Sequence, residues 1–401
     1  MEDPKTIRWT SARRIIAVLA TAWLAACSAG DRLPAVPPEL YDSAEVVGMP
    51  NVRYSSGDVP DLIREMVESV QRERDAMKAD GDLGPLHPAN FLALSGGGDK
   101  GAFGAGILVG WTKAGNRPEF KMVTGVSTGA LIAPFAFLGS KYDQQLQDIY
   151  TNISGKDILT KRNPFALLLD DAMADNAPLW ALMKKYVNEA MLRDIAAEYK
   201  RGRLLIIGTT NLDKMHGTLW NIGKIAASGH PGALHLIHGI LIASAAIPGA
   251  FPPVLVDVEA GGKRYQEMHV DGGTIHQVFV YPSYVRLKDA LAAAGIVRER
   301  HMYIIRNARL DPDWMQVERK VLTIAERSVV ALIQEQGRGD LYRIHSIALR
   351  DGVDFNLAYI PPTFDAPHPD DFDTGFMRAL FKLGYDQAVG GYPWAKAPPG
   401  Y

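Results

Sequence analysis

Residues 91–106 read FLALSGGGDKGAFGAG, an apolar run followed at once by a turn rich in glycine. The run has the composition of a buried strand, and the small residues from Gly101 onward fit the start of a helix. Gly96, Gly98 and Gly101 have the spacing of a dinucleotide-binding loop, in which backbone N–H groups hold a pyrophosphate. The stretch predicts a strand, a turn that presents N–H groups to an anion, and a helix. The rest of the chain has to identify the anion.

The residues around this turn do not favour a nucleotide. A dinucleotide site needs an acidic residue at the end of the second strand, about 20 residues further on. That strand ends in KMVTGVSTG, residues 121–129, without an acid. A phosphate loop of the ATP-binding type ends in Gly-Lys-Ser or Gly-Lys-Thr, where this chain has Lys100, Gly101 and Ala102. We therefore expect no nucleotide cofactor.

The second strand ends in the pattern G-x-S-x-G, from Gly125 through Ser127 to Gly129. At a strand-to-helix junction this pattern is typical of a nucleophile elbow, a sharp turn that holds a serine hydroxyl clear of the backbone. A helix predicted over 128–138 starts there, and its positive end favours an anion. Two such turns from adjacent parallel strands meet at the carboxyl edge of a sheet, so the first can donate N–H groups to the oxyanion formed by Ser127. Glycine-rich turns into helices are also often purely structural.

A serine nucleophile needs a base within hydrogen-bond reach. Asp271 ends an apolar strand and is followed by two glycines, so its carboxylate can approach a neighbouring loop; an ordinary Asp-Gly turn explains the same residues. Histidine is the more usual base. His269 lies on the same strand face as Asp271, and His276 follows, but neither has a sequence context that marks it as a member of a triad. Both kinds of base stay open on these residues alone.

Four ordered blocks resemble the patatin-like phospholipase family: SGGGDKG at 95–101, GVSTG at 125–129, ASAAIPGAFPPV at 243–254 and DGG at 271–273. The resemblance implies Ser127 as nucleophile and Asp271 as general base without a histidine. It also implies an oxyanion hole from Gly96, Gly97 and Gly98. The remaining motif positions are Lys100, Gly101, Gly125, Gly129, Gly272 and Gly273.

The resemblance further implies a serine acyl hydrolase of phospholipase A or lysophospholipase type, which cleaves phospholipids or other lipid esters through an acyl-enzyme without a metal or cofactor. The family usually has Arg at the position of Lys100. Lysine keeps the charge but loses the planar fork of donors, which puts any bidentate contact there in doubt. Two other functions remain open: an envelope protein that binds lipid or a partner with little turnover, and an esterase with a histidine-containing triad.

The fold class predicted by the residues is α/β. From residue 90 onward strands alternate with long helices, which indicates a mostly parallel central sheet covered by helices on both faces. The resemblance makes this a three-layer architecture related to α/β-hydrolases. We predict one catalytic domain over 90–395 and, over 59–89, an N-terminal helix that packs on it. Residues 27–58, rich in Pro, Gly and Ser, are predicted to be a flexible tether.

Residues 1–26 are typical of a signal peptide, with basic residues up to Arg14 followed by the apolar run IIAVLATAWLAA. Leu24 to Cys27 resembles the lipobox of bacterial lipoproteins, in which the cysteine thiol is acylated; a secretory signal that happens to contain a cysteine is the alternative. Ser28 after the cysteine favours the outer membrane. We therefore expect a protein that is anchored by lipid at Cys27 in a bacterial cell envelope.

Composition excludes two other classes of function. The formal net charge of −2 argues against nucleic acid as the main partner, because phosphate binding needs clustered Lys and Arg. Cys27 is the single cysteine, so the chain can form neither an intrachain disulfide nor a metal site with several thiolates. The composition does not indicate an oligomeric state.

Two further stretches have competing interpretations. Residues 364–373, FDAPHPDDFD, gather carboxylates and a histidine, but they fit a helix N-cap at Asp373 better than a metal loop. Residues 163–187 are rich in Leu, Met, Phe and Trp; such stretches are usually core, and an acyl-chain pocket or lid needs the same residue types.

Overall fold

The computed structural model describes residues 32–55, 59–161, 172, 174–312 and 314–400. In these residues ten strands form one sheet, with the order β1-β9-β10-β7-β4-β3-β11-β12 and with β8 and β2 added beside β7; β5 and β6 form a separate hairpin. The strands are β1 Glu45–Val46, β2 Arg53–Ser55, β3 Ala89–Leu94, β4 Met122–Gly125, β5 Thr160–Lys161, β6 Ala174–Asp175, β7 Leu204–Asn211, β8 His216–Asn221, β9 Val254–Ala260, β10 Lys263–Asp271, β11 Arg300–Arg306 and β12 Asp354–Tyr359.

Twelve α-helices cover the sheet or lie beside it in the described residues. They are α1 Val59–Ala79, α2 Gly101–Lys113, α3 Thr128–Leu138, α4 Asp143–Asn152, α5 Gly155–Ile158, α6 Ala177–Tyr186, α7 Glu189–Lys200, α8 Ile222–Ala227, α9 Ala233–Ser244, α10 Leu287–Ala293, α11 Val321–Asp351 and α12 Thr374–Val389. Across the part of the chain that is described, no helix has the length and apolar character to cross a membrane.

The centre of the sheet is parallel. Strands β12, β11, β3, β4 and β7 are paired in parallel, whereas β10, β9 and β1 on one side, and β8 and β2 next to β7, are antiparallel additions. The predicted α/β fold with helices on both faces is confirmed. The antiparallel strands β1, β2, β8 and β9 were not predicted.

Helices pack on both faces because alternate residues of each strand point to opposite sides. Leu92 and Leu94 join one hydrophobic core with α2, α3, α4, α6, α7, α8, α9 and α12. Phe91 and Ala93 join a second core with α1, α10 and α11. A strand segment buried on both faces has to be apolar, which explains the apolar run from Phe91 to Leu94 in β3.

Residues 32–55 do not form the flexible tether that was predicted for 27–58. Strand β1 pairs with β9, and β2 pairs with β8. Val36, Val46, Val52 and Tyr54 are buried, so this segment is part of the folded body. The prediction was wrong here because Pro- and Gly-rich sequence that lies on an edge of a sheet lacks the periodicity of a long strand. Residues 27–31 and 56–58 lie outside the described residues.

Helices α2 and α12 pack with their backbones in close contact. An added Cβ at Gly106 would lie 2.1 Å from the carbonyl oxygen of Phe381, and one at Gly384 would lie 2.3 Å from that of Phe103. Only glycine permits this approach. Since α2 starts directly after the glycine-rich turn, its packing against α12 also fixes the position of that turn.

We predict that Gly106→Ala lowers the free energy of unfolding by about 2 kcal/mol or more, because the methyl group cannot be accommodated against a backbone carbonyl. The matched control is Gly339→Ala in α11, where a Cβ meets nothing within 4 Å. There the better helix propensity of alanine should raise stability by about 0.5–1 kcal/mol. Denaturant unfolding of the two variants measures both values, and equal effects would contradict this account of the helix contact.

Candidate active site

The register of the sheet brings Ser127 and Asp271 to the same level. Gly125 of β4 lies opposite Ile207 of β7, so Ser127, two residues further on, is level with Thr209. Asp271 of β10 also lies opposite Thr209, on the same side of β7 as β4, because β8 occupies the other side. The two predicted catalytic residues, 144 positions apart in the sequence, thus meet at the carboxyl edge of the sheet beside the same strand, β7.

Ser127 has the backbone of a nucleophile elbow. Its φ of 55° and ψ of −128° place it in a region that L-residues rarely adopt, directly before helix α3. Its N–H donates to the Ser244 hydroxyl at 3.0 Å, which in turn donates to the carbonyl of Gly208 at 2.7 Å. Ser244 therefore fixes the turn to β7. It lies in the 243–254 block of the sequence, but only the structure shows what it contacts.

Asp271 is a buried carboxylate that is hydrogen-bonded to Ser127. Its exposed fraction is 5%, and its Oδ1 accepts the N–H of Gly273 at 2.7 Å. Burial raises the pKa of Asp271 to about 7, although the hydrogen bonds from the Ser127 side chain and the Gly273 N–H favour the ionised form. A carboxyl group with a pKa near neutrality is suited to take up and return a proton.

The glycine-rich turn presents two N–H groups without a protein acceptor. Gly97 has φ 157° and Gly98 has φ 60°, both in the region that favours glycine. Within the described residues, neither N–H donates a hydrogen bond, and Gly98 lines the same cavity as Ser127. The N–H of Gly96, by contrast, donates to the carbonyl of Gln277 at 3.0 Å. Gly96 is therefore removed from the predicted set of oxyanion-hole donors, and Gly97 and Gly98 remain.

The other glycines of the predicted motifs are required by close approach. At each of them an added Cβ would lie within 2.5 Å of another heavy atom. The distances are 2.3 Å at Gly101, 2.5 Å at Gly125, 2.3 Å at Gly129, 2.5 Å at Gly272 and 2.3 Å at Gly273. At Gly129 that atom is the carbonyl oxygen of Leu94, so the two strand-to-helix turns touch each other.

Comparison with known proteins agrees with this geometry. A family model described as patatin-like phospholipase matches residues 92–282, a range that contains both turns, Ser127 and Asp271. Residues 92–282 are a patatin-like phospholipase domain. The domain supports lipid acyl hydrolysis as the general activity and lipids as the general class of substrate.

Two further comparisons add little detail. No curated protein matches the chain significantly. Among solved structures, the crystal structure of VipD from Legionella pneumophila is similar at 13% identity and a TM-score of 0.36, over 77% of this chain and 67% of that one.

An apolar cavity of about 780 Å³ opens next to Ser127 in the patatin-like domain. Leu131 and Phe135 of α3 contribute to its wall, as do Leu179 and Met183 of α6. The last two belong to the apolar stretch 163–187, so part of that stretch lines the cavity. Residues 163–171 and 173 of it lie outside the described residues.

Neither candidate histidine contacts Ser127. The His269 ring is 2.9 Å from the Thr209 hydroxyl and 3.2 Å from Glu267, and burial lowers its pKa. His276 lies 3.2 Å from Asp340. Within the described part of the chain both rings therefore have other partners, and the geometry does not support a histidine-containing triad.

The segment 364–373 contacts the glycine-rich turn. Asp373 accepts the N–H of Phe376 at 2.7 Å and caps α12, as predicted. His368 Nε2 lies 2.6 Å from Asp99 Oδ2, and the N–H of Phe372 donates to the same oxygen at 3.0 Å. In the described ranges no group of three or more His, Cys, Asp or Glu is arranged to hold a metal ion. Sequence reasoning gave no sign of the role of Asp99.

Two more residues hold the turn in place. Lys100 lies half-buried in a 3₁₀ turn of residues 98–100, and its N–H donates to the Gly97 carbonyl at 3.2 Å. Asn307, which the sequence did not indicate, donates from Nδ2 to the Ser95 carbonyl at 2.9 Å and accepts the Gly104 N–H at 3.1 Å. Asn307 thus ties the end of β11 to both sides of the turn.

We predict that Asp271→Asn stabilises the folded protein above pH 7. Because the folded pKa lies above the usual value near 3.8, ionisation of Asp271 destabilises the folded state, and the penalty grows as pH rises from about 4 to about 7. The stability difference between Asp271→Asn and wild type should therefore increase by about 3 kcal/mol from pH 5 to pH 8. Denaturant unfolding at both pH values measures it, with the exposed Glu39→Gln as control. A stability difference that does not change with pH would contradict a buried carboxyl group with a raised pKa.

Proposed function

We propose that the protein is a serine acyl hydrolase of phospholipase A or lysophospholipase type, with Ser127 as nucleophile and Asp271 as general base. One observation carries this proposal: a buried carboxyl group with a raised pKa is hydrogen-bonded to the serine of a strained elbow. Purely structural Asp-Gly turns do not need such an arrangement, and burial of the charge is unfavourable for folding. Buried ionisable groups with strongly shifted pKa values occur more often at functional sites than elsewhere in proteins.

Acylation starts when Asp271 accepts the hydroxyl proton of Ser127 as the serine oxygen attacks the ester carbonyl carbon. The carbonyl π electrons move to oxygen, and the N–H groups of Gly97 and Gly98 stabilise the oxyanion. The positive end of α3 acts in the same direction. When the tetrahedral intermediate collapses, the C–O bond to the alcohol breaks, and protonated Asp271 returns its proton to the departing oxygen.

Deacylation repeats these steps with water. Asp271, ionised again, takes a proton from a water molecule as the water attacks the acyl carbon. Collapse then releases the carboxylic acid, and the proton on Asp271 returns to the Ser127 oxygen. One ester and one water give one alcohol and one acid, and the enzyme is unchanged. A single carboxyl group can serve both halves because its pKa lies near the working pH.

The cavity supports a long-chain acyl group as the substrate part next to Ser127. Most of its walls are Leu, Ile, Phe and Met side chains, which suit an apolar chain. Burial of each CH₂ group contributes about 0.8 kcal/mol, so chain length contributes strongly to binding. We therefore favour phospholipids or other lipid esters over short, polar esters.

We predict that Ser127→Ala lowers kcat/KM on a defined phospholipid by about 10³-fold or more, and that Asp271→Asn lowers it by about 10²–10⁴-fold. Hydrolysis is measured on phosphatidylcholine with different acyl chains at the two positions, so that the products also report positional preference. The matched control is His276→Gln, because His276 is partly exposed and its ring contacts Asp340 rather than Ser127. This variant should keep wild-type activity.

Retained activity in Ser127→Ala would reject the proposed nucleophile. A folded wild-type protein that binds phospholipid without turnover would instead favour the envelope binding protein. Loss of activity in His276→Gln, with Asp271→Asn active, would restore the histidine-containing triad.

We also propose that Cys27 is acylated and anchors the protein in the outer membrane of a bacterial cell envelope. The proposal is supported by the sequence of residues 1–28 alone, which lie outside the described residues. Metabolic labelling with a fatty acid should mark the wild type and leave Cys27→Ser unlabelled, and equal labelling of both would reject it.

A further inference from the structure

Helix α11 is much longer than the strands it connects. It contains 31 residues and leads from β11 to β12, which has six. At about 1.5 Å per helical residue and about 3.3 Å per strand residue, the helix is about 46 Å long and the strand about 20 Å. A helix that returns beside a parallel sheet needs only the length of the strands, so about half of α11 has no sheet to pack on.

The extra length lies at the carboxyl edge of the sheet. Among the side chains of α11 that the structure describes, the first buried residue is Gly337, which contacts the guanidinium group of Arg306, the last residue of β11. Residues 321–336, which we call the overhang, therefore extend beyond the edge that holds Ser127 and Asp271. The side chain of Gln336 donates to the carbonyl of Ile275, four residues after Asp271, and connects the base of the overhang to the site.

The overhang exposes apolar side chains at unusual density. Seven of the sixteen large apolar side chains that are exposed in the described residues lie between positions 314 and 332. They are Trp314, Met315, Val321, Ile324, Val329, Val330 and Leu332. Trp314, Val321 and Leu332 are 88%, 83% and 71% exposed. Clusters of this kind mark surfaces that are covered in use.

The distribution of these side chains favours a lipid surface over a protein partner. Val321 and Leu332 lie on one side of the helix, and Val330 lies about 180° away from Val321, since successive residues are about 100° apart. A helix that pairs with another helix shows a narrow apolar seam instead. Apolar side chains on opposite sides suit a medium that surrounds the helix end, and an exposed tryptophan suits the membrane interface.

We propose that the overhang, together with Trp314 and Met315, inserts into a lipid surface and holds the carboxyl edge of the sheet against it. The inference rests on the proposed function, because lipid esters would then pass from that surface to the cavity at Ser127. Residues 314–336 contain three basic and three acidic side chains, so the docking is apolar rather than electrostatic and works on neutral lipid. This contact is separate from any anchor at Cys27.

The experiment compares two variants of the full chain. Val321→Glu/Leu332→Glu places charges on the overhang, and Leu349→Glu places one at the opposite end of the same helix, where Leu349 is 67% exposed. Cys27→Ser is present in every arm so that acylation cannot contribute. Co-sedimentation with phosphatidylcholine vesicles gives the partition coefficient, and hydrolysis is measured on the same vesicles and on a short-chain ester below its critical micelle concentration.

We expect at least about a tenfold loss in vesicle partition and in vesicle hydrolysis for the double variant, because each large apolar side chain buried in lipid contributes enough binding free energy for this loss. The rate on the soluble ester should stay within about twofold of wild type. Leu349→Glu should match wild type in all three measurements. Unchanged partition of the double variant, or no vesicle binding by wild type, would overturn the proposal. A wild-type dimer that the double variant dissociates without change in partition would overturn it in favour of a second copy of this chain.

Partition measured with Ser127→Ala separates this inference from the proposed function. If Ser127→Ala binds vesicles as wild type does and the overhang variant does not, docking holds whether or not the protein hydrolyses phospholipid. If wild type hydrolyses vesicle lipid and the overhang variant is equally active, the proposed function holds and docking by the overhang is rejected.

Discussion

The buried carboxyl group of Asp271 is the constraint around which the site is organised. Placing an ionisable group in a nearly dry position is unfavourable, and the burial of Asp271 raises its pKa to about 7. The surrounding structure satisfies it with the N–H of Gly273 and the hydroxyl of Ser127. Both partners depend on backbone that only a particular sheet register provides, because Ser127 and Asp271 meet where β4 and β10 end on the same side of β7.

The register in turn depends on two strand-to-helix turns that touch each other. Gly129 lies against the carbonyl of Leu94, and Ser244 ties the Ser127 N–H to β7. The glycine-rich turn is held from outside by Asn307 and by the His368 contact with Asp99. A serine in a strained backbone conformation stays there only because the surrounding structure holds it, and these contacts provide that support. They hold the turn in a conformation in which the N–H groups of Gly97 and Gly98 have no acceptor among the described residues.

The local parts of the molecule were predictable from the sequence. The helix bounds 128–138 agree with α3, and β3, β4 and β10 were each recognised from apolar runs that end in glycine or Asp-Gly. Short edge strands such as β1 and β2 were not, because two or three residues carry no periodicity. Between β6 and β7 the chain forms two helices, α6 and α7, since Asn188 caps the second by accepting the N–H groups of Ala190 and Met191.

Long-range partners were the other limit. Contacts between strands that the fold brings together leave no trace in a local sequence pattern. The hydrogen bond from Gly96 to Gln277 and the support of the turns by Asn307 and Ser244 are of this kind. The length of α11 relative to β12 was likewise visible only with both elements in place. The fold class and the closeness of Ser127 to Asp271 could be predicted from the sequence; the supporting residues and the overhang could not.

The most direct test of the account is the pH dependence of fluorophosphonate labelling, followed by mass-spectrometric identification of the labelled residue. Fluorophosphonates react with a serine only when a base activates it. The account predicts a single adduct on Ser127, with a labelling rate that rises through an apparent pKa of about 7 as Asp271 loses its proton. Labelling should be at least about 100-fold slower in Asp271→Asn at pH 8. An adduct on another serine, or a rate on Ser127 that is the same in Asp271→Asn, would contradict it.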